Sequence, residues 1–200
     1  AWVDEVISNL EWRFGLRGKQ ENMIGFEQNP YLRGLNLLPD IIDAATSHQA
    51  VRITYRNYKN CDEEYTVVVH PWYFKQYNNR WFLMAYDAEA DRISNYALDR
   101  IQNFNVEEDV AYIPNKEVDF EHYFDDVFCV TIPPSDVEKI RVLLQFSKKQ
   151  YPYIVSKPLH HSQEIVDAEN RILAVEVRPT YEFTQLILSF GFDVKVLEPE

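Results

Sequence analysis

The chain has 200 residues, 46% of them apolar and 14% aromatic, enough to bury the core of one large domain or two small ones. A formal net charge of −12 excludes a general DNA-coating protein, because phosphate binding needs a positive field. No apolar run approaches the ~20 residues of a membrane span, so we expect a cytoplasmic protein without membrane contact. The chain opens at Ala1 without a signal peptide, and we expect a piece excised from a longer protein. Cys61 and Cys129 form no CxxC motif and are predicted to be free thiols in a reducing compartment.

The first part of the chain predicts helices and a linker. Apolar residues recur at helical spacing over residues 2–14, which indicates an amphipathic helix. Residues 15–36 hold four of the five glycines and are predicted to be a linker. A second helix is expected from near Pro39 to about His48, because proline is tolerated in a first turn.

Alternation of apolar and polar residues then predicts a series of short strands. Val51, Ile53 and Tyr55 face one side of the first strand. Further strands are expected at 65–70, on both sides of Asn78-Asn79, at 92–97 and at 98–104, and the Asn pair suits a tight hairpin turn. A helix followed by about five short strands indicates a small antiparallel barrel.

A motif lies within the same stretch. It reads His-Pro-x-Tyr at 70–73, Asn-x-Arg-Trp-Phe-Leu at 78–83 and Leu-Asp-Arg-Ile at 98–101. This pattern resembles the signature of the WYL domain family, whose central tripeptide is usually Trp-Tyr-Leu, whereas Trp81-Phe82-Leu83 stands here. The resemblance implies that residues 37–110 form a WYL domain, similar to Sm-like and SH3-like barrels, and that residues 137–200 are the extension that often follows it.

The second part of the chain has a different order of elements. Residues 105–136 are acidic, and their aromatic residues, Phe120, Tyr123, Phe124 and Phe128, are spaced as on a short helix that docks on a core. We call residues 111–136 the connecting segment. Residues 137–200 predict the order β-α-β-β-α-β of a ferredoxin-like unit, with Thr180 as a helix N-cap and Gly191 as a stop. The expected fold class is therefore α+β: N-terminal helices and linker at 1–36, an antiparallel barrel, the connecting segment, and a ferredoxin-like unit.

Several kinds of chemistry are excluded or disfavoured. No glycine lies between Gly34 and Gly191, which excludes a Walker loop or a GxGxxG turn there. No nucleophile–base pair or metal set emerges, so we expect neither an enzyme nor a cofactor. His160-His161 is placed on a strand, where adjacent side chains point to opposite faces and hold no metal together.

Candidate ligand residues come from two sources. Arg52 and Arg56 share one strand face and suit a small basic patch, while Tyr73 and Tyr77 can stack on a base. The resemblance implies that three further residues, His70, Arg80 and Arg100, line an effector site. Each of the three also has a structural interpretation, as a satisfied core histidine or as a partner of a carboxylate such as Asp99. The tripeptide 81–83 is expected to be mainly structural.

Two functions remain open at this point. One is the effector-sensing part of a WYL-type transcriptional regulator, a homodimer that binds single-stranded nucleic acid or a nucleotide. In that case duplex DNA is contacted only through an N-terminal helix-turn-helix domain outside this chain. The other is a protein-interaction or dimerisation module without a small ligand. Convergence of His70, Arg80 and Arg100 on one open cleft would favour sensing, and separate pairing with carboxylates would favour the second function.

Overall fold

The computed structural model of the chain describes residues 34–58 and 63–199. The predicted helix over 2–14, most of the predicted linker and Cys61 lie outside these residues. The described part contains two antiparallel sheets and three short α-helices, which confirms the α+β class. None of these helices is long and apolar enough to span a membrane.

One helix and five strands build the first sheet region. Helix α1 begins with Pro39 in its first turn and buries Ile41 and Ala44, close to the predicted bounds. The sheet order is β4-β3-β2-β1-β5, so β4 and β5 are its two edges; within the described residues they do not pair, and the predicted barrel is not closed. The elements are α1 (Leu38–Thr46), β1 (Ala50–Asn57), β2 (Glu63–Tyr77), β3 (Arg80–Asp87), β4 (Arg92–Ala97), a 3-10 turn (Leu98–Arg100) and β5 (Ile101–Glu107).

Strand β2 is one long strand where the sequence predicted two. Its first half pairs with β1 up to Val69, and its second half pairs with β3 from His70 onward. The register shifts between Pro71 and Tyr73, which makes Trp72 a bulge. Proline lacks an N–H and is tolerated at such a bulge, so the strand bends there without ending.

The side chains of the first sheet obey the predicted alternation. Val51, Ile53 and Tyr55 are buried in its core. The tripeptide alternates as well, since Trp81 and Leu83 pack on this core while Phe82 faces the opposite side of the sheet. Both faces of β3 are therefore covered.

The connecting segment supplies that second cover. Phe120 and Phe124 are buried with Met84 of β3 and with Val127, in a small core of their own. The predicted docking is thus confirmed, but the predicted helix is wrong: residues 120–126 form successive turns. Apolar spacing directs these rings to one side even without continuous helical hydrogen bonding.

The second sheet follows the connecting segment. Its strands have the order β7-β8-β6-β9, all antiparallel, and the chain order β-α-β-β-α-β is as predicted. Thr180 caps the last helix, where its hydroxyl accepts a hydrogen bond from the Phe183 amide. The elements are β6 (Ile140–Phe146), α2 (Tyr151–Ser156), β7 (Glu164–Asp167), β8 (Ile172–Val177), α3 (Tyr181–Ser189) and β9 (Val194–Glu198).

Candidate functional site

The predicted ligand residues do not converge on one cleft. The structure distributes them over four surroundings: an ion pair on β1, the core beneath the β2 bulge, a cluster at the 3-10 turn, and a cavity on the outer face of β2. In that order they are Arg52; His70; Arg80 and Arg100; Tyr73 and Tyr77.

His70 lies in the core. Its side chain is only 2% exposed, and Nδ1 accepts a hydrogen bond from the Ile113 amide at 3.2 Å. The rings of Tyr86 and Tyr112 lie beside it, at centroid distances of 6.2 and 5.7 Å. Burial lowers the pKa of His70, so the imidazole is neutral at neutral pH. This arrangement anchors the connecting segment to β2.

The basic patch on β1 is neutralised by its surroundings. Arg52 forms two hydrogen bonds with the Glu107 carboxylate, at 2.6 and 3.1 Å, and this pairing lowers the pKa of Glu107. Arg56 pairs with Glu64 at 2.6 Å. Cross-strand carboxylates therefore occupy both guanidinium groups, and the face is not a free anion site.

Arg80 approaches Asp99, the residue before Arg100, in what we call the arginine cluster: Arg80, Asp99, Arg100 and Tyr58. Arg80 Nε is 3.1 Å from Asp99 Oδ1, but the geometry is not that of a hydrogen bond, and both buried atoms lack a hydrogen-bond partner among the described residues. Arg100 Nε is also buried without such a partner. The Arg100 guanidinium lies 4.7 Å from the centre of the Tyr58 ring, a cation–π contact.

The backbone beneath the arginine cluster is closely packed. Gly34 has a φ of +86°, and a Cβ atom at this position would lie 2.1 Å from the Leu98 carbonyl oxygen. Leu98 itself is 1% exposed. The backbone at Gly34 therefore packs directly against the turn that carries Asp99 and Arg100. The glycine itself was the sole sign of this contact in the sequence.

Tyr73 and Tyr77 share the outer face of β2 with Lys75. These side chains line a cavity of about 600 Å³, which we call the β2 cavity, bounded also by the connecting segment and by residues 158–161 of the second sheet region. The Tyr77 hydroxyl and the Cys129 thiol both line the cavity, and burial raises the pKa of both groups. Sequence reasoning missed Lys75, although its position midway between the two tyrosines on one strand was the available signal.

The His160–His161 prediction needs correction. The two residues lie in a turn rather than on a strand, and their rings are 4.1 Å apart instead of on opposite faces. His160 Nδ1 lies 2.8 Å from the Ser162 hydroxyl. No group of His, Cys, Asp and Glu side chains in the described ranges is arranged to hold a metal ion.

Comparison with known families agrees with this architecture. The family model of the WYL domain matches residues 36–106, and that of the WCX domain matches residues 138–200. The chain belongs to the WYL-domain family, and a WCX domain follows its WYL domain. The motif from His70 to Arg100 lies within the first match.

Two solved structures are similar to the chain. One is the proteasome accessory factor B/C (PafBC) of Arthrobacter aurescens, at 18% identity and a TM-score of 0.37, covering 88% of this chain and 26% of that one. The other is described as a CRISPR Cas-related protein, at 13% identity and a TM-score of 0.50, covering 85% of this chain and 48% of that one. The chain thus spans from about a quarter to about half of these proteins, and the second likeness concerns the fold alone. A comparison with curated proteins found no match.

Proposed function

We propose that this chain is the effector-sensing part of a WYL-type transcriptional regulator. Its ligand is a nucleotide or single-stranded nucleic acid, bound at the arginine cluster. Binding controls a DNA-binding domain that these residues do not include. The role is recognition and not catalysis. The observation that carries the proposal is the arginine cluster, in which Arg80 Nε is ion-paired with Asp99 without a hydrogen bond and Arg100 Nε is buried without a hydrogen-bond partner among the described residues.

The physical reason is the unused hydrogen-bonding capacity of these groups. A buried donor without an acceptor costs about 1–3 kcal/mol, and a bound anion removes that cost. Guanidinium groups bind phosphate through two parallel N–H···O bonds. Tyr58 adds an exposed aromatic ring beside Arg100, on which a base can stack. A phosphate group with an adjacent base therefore matches the cluster better than a simple carboxylate.

The net charge of the protein limits the size of the nucleic-acid ligand. With a net charge of −12, the protein repels polyanions at long range. A local site that holds one or two phosphates is compatible with that field, whereas wrapping a long strand is not. We therefore expect a short ligand or a strand end.

The competing proposal is a protein-interaction module. It is favoured by the pairing of Arg52 with Glu107, by the approach of Arg80 to Asp99 and by the burial of His70, since these residues then have structural partners. In this alternative the Nε groups of Arg80 and Arg100 would donate hydrogen bonds to no ligand and would remain a local cost of the fold.

The test is fluorescence anisotropy with short labelled single-stranded DNA and RNA at two salt concentrations, with unlabelled nucleotides as competitors. The Arg80→Ala/Arg100→Ala double variant should weaken binding more than tenfold, about 1.4 kcal/mol. Because each lost phosphate contact on a single strand removes about 0.7 from the salt slope, that slope should fall by roughly 1.4.

A matched control separates the site from general electrostatics. The Arg92→Ala/Arg141→Ala variant removes the same charge from two exposed positions and should bind within twofold of the unmodified chain. The Arg80→Lys/Arg100→Lys variant keeps the charge but loses the forked donors, and should bind weakly if phosphate geometry matters. Two results would refute the proposal and favour the interaction module. One is an equal loss of affinity in the Arg80→Ala/Arg100→Ala and Arg92→Ala/Arg141→Ala variants. The other is no binding by the unmodified chain when its circular dichroism shows that it is folded.

Finer features of the fold belong to the same proposal. We regard the first sheet as an open relative of the Sm-like and SH3-like barrels, which the strand order β4-β3-β2-β1-β5 supports. We regard the second sheet, with its β-α-β-β-α-β order, as a ferredoxin-like unit. The homodimer and the cytoplasmic location stay predictions.

A further inference from the structure

The β2 cavity is separate in its lining residues from the arginine cluster. Its floor is the outer face of β2, where Tyr73, Lys75 and Tyr77 alternate with side chains that face the other way. Its walls are aromatic residues of the connecting segment and the turn that contains His160 and His161. With a volume of about 600 Å³ it lies within the size range of small-molecule sites.

Lys75 is the cation of this cavity, whose lining also contains the carboxylates of Glu121 and Asp125. Its Nζ lies 3.4 Å from the centre of the Phe124 ring, and its half-buried surroundings lower the pKa of the ammonium group. No carboxylate in the described ranges forms an ion pair with it. The carboxylate of Asp125, which also borders the cavity, is instead hydrogen-bonded to His122 at 2.9 Å. The cavity therefore contains a cation without a dedicated counter-ion.

The walls are flat and aromatic. Tyr73 stacks on Phe120 with ring planes 2° apart and centroids 4.8 Å apart. Tyr77 meets the Phe128 ring edge-on, with centroids 6.5 Å apart. His160 also lines the cavity, and burial lowers the pKa of its imidazole, so it adds no positive charge at neutral pH.

We propose that the β2 cavity binds a small aromatic carboxylate, with its carboxylate on Lys75 and its ring against the side chains of Tyr73 and Tyr77. The lining offers one ammonium group beside the carboxylates of Glu121 and Asp125, so it suits at most a monoanion, and a phosphate dianion would lack a second cation in a protein of net charge −12. The ligand would contact β2, the connecting segment and the turn at 158–161 at once, and would tie the second sheet region to the first. The site is independent of the proposed nucleotide site.

The probe is 2-naphthoate, compared with the uncharged 2-naphthamide of the same shape, by isothermal titration calorimetry. We expect naphthoate to bind the unmodified chain at least tenfold more tightly than naphthamide. Lys75→Met keeps the aliphatic stem and should abolish this preference. Lys148→Met, which removes an exposed lysine outside the cavity, should retain it, as should Arg80→Ala/Arg100→Ala.

NMR of the unmodified chain tests whether naphthoate binds in the β2 cavity. Ring-proton NMR signals of His160 and His161 should shift on saturation with naphthoate, while that of His48, outside the cavity, should not. Equal affinities for the acid and the amide, no binding, or an unchanged preference in a folded Lys75→Met variant would each overturn the proposal. Loss of naphthoate binding in the arginine variant would show that the two sites are one.

Discussion

Burial decides the chemistry of His70. This residue belongs to the family motif and was a candidate ligand contact, yet the fold places it in the core, where Nδ1 accepts the Ile113 amide hydrogen. A buried imidazole favours its neutral form, and the lowered pKa of His70 reflects that preference. Its role in the described structure is to hold the connecting segment on β2.

The pH dependence of stability should reveal His70. Its folded pKa lies below its unfolded value of about 6.5, so the unfolded chain takes up a proton first as the pH falls. The stabilisation is complete above about pH 6.5 and declines as the pH falls below it. Between about pH 7 and pH 5, the unmodified chain should lose more stability than His70→Asn, by on the order of 1 kcal/mol in urea denaturation.

His122 provides a control, because its pKa is shifted in the direction opposite to that of His70. The hydrogen bond to Asp125 raises the pKa of exposed His122, so any stabilisation there is present at low pH and declines as the pH rises. His122→Asn should not reduce the loss of stability on acidification. If His70→Asn and the unmodified chain show parallel pH profiles, His70 is not buried as a neutral base.

At the scale of elements, the β2–β3 hairpin depends on its turn. Asn78 and Asn79 both have positive φ, 48° and 59°, as a type I′ turn requires. This turn matches the twist of the two strands and determines the register in which Tyr77 pairs with Arg80. The faces of Lys75 and of the tripeptide follow from that register, because a slip of one residue would exchange them.

Substitutions in the turn should act in opposite directions. Asn79→Gly should raise the free energy of unfolding by about 0.5 kcal/mol, because glycine adopts positive φ without strain. Asn79→Ala should lower it by about 1 kcal/mol, since a Cβ disfavours this region. Thermal denaturation of the two variants measures the difference. A destabilising glycine together with a neutral alanine would contradict a type I′ turn.

At the scale of the whole molecule, the connecting segment joins the two sheets. Arg178, just after β8, donates hydrogen bonds from Nε to the Val137 carbonyl at 2.8 Å and from Nη2 to the carbonyls of Pro133 and Pro134 at 3.0 and 2.6 Å. Its backbone amide also donates to the Asp126 carbonyl at 2.6 Å. One guanidinium thus satisfies two carbonyls of the connecting segment, which has no regular secondary structure of its own, and the carbonyl of Val137 directly after it.

Removal of the Arg178 guanidinium should weaken the attachment of the connecting segment to the second sheet. Arg178→Met leaves several partly buried carbonyls without donors and should lower the free energy of unfolding by about 2–3 kcal/mol in urea denaturation. Arg141→Met removes an exposed arginine whose carboxylate partners are also exposed, and should change stability by less than about 1 kcal/mol. Similar losses of unfolding free energy in the two variants would refute the role of Arg178 in holding the connecting segment to the second sheet.

Local features of the chain were open to prediction from sequence. Alternation identified β1 and the β2–β3 hairpin because side chains of a strand point to opposite faces with a period of two. Asn78-Asn79 and Thr180 identified a turn and a cap because those geometries depend on the residue at that position. The helix predicted around Phe120 was wrong because apolar spacing alone does not require helical hydrogen bonding.

The sequence by itself determined the α+β class, the order of most elements and membership of the WYL-domain family, because these depend on patterns within short stretches. Only the tertiary structure decided which group each charged side chain contacts. Arg52 is neutralised by Glu107, Arg100 lies on Tyr58, and Lys75 lies on Phe124. These partners come from distant parts of the chain, and their meeting depends on strand register and on the path of the connecting segment, which no local pattern encodes.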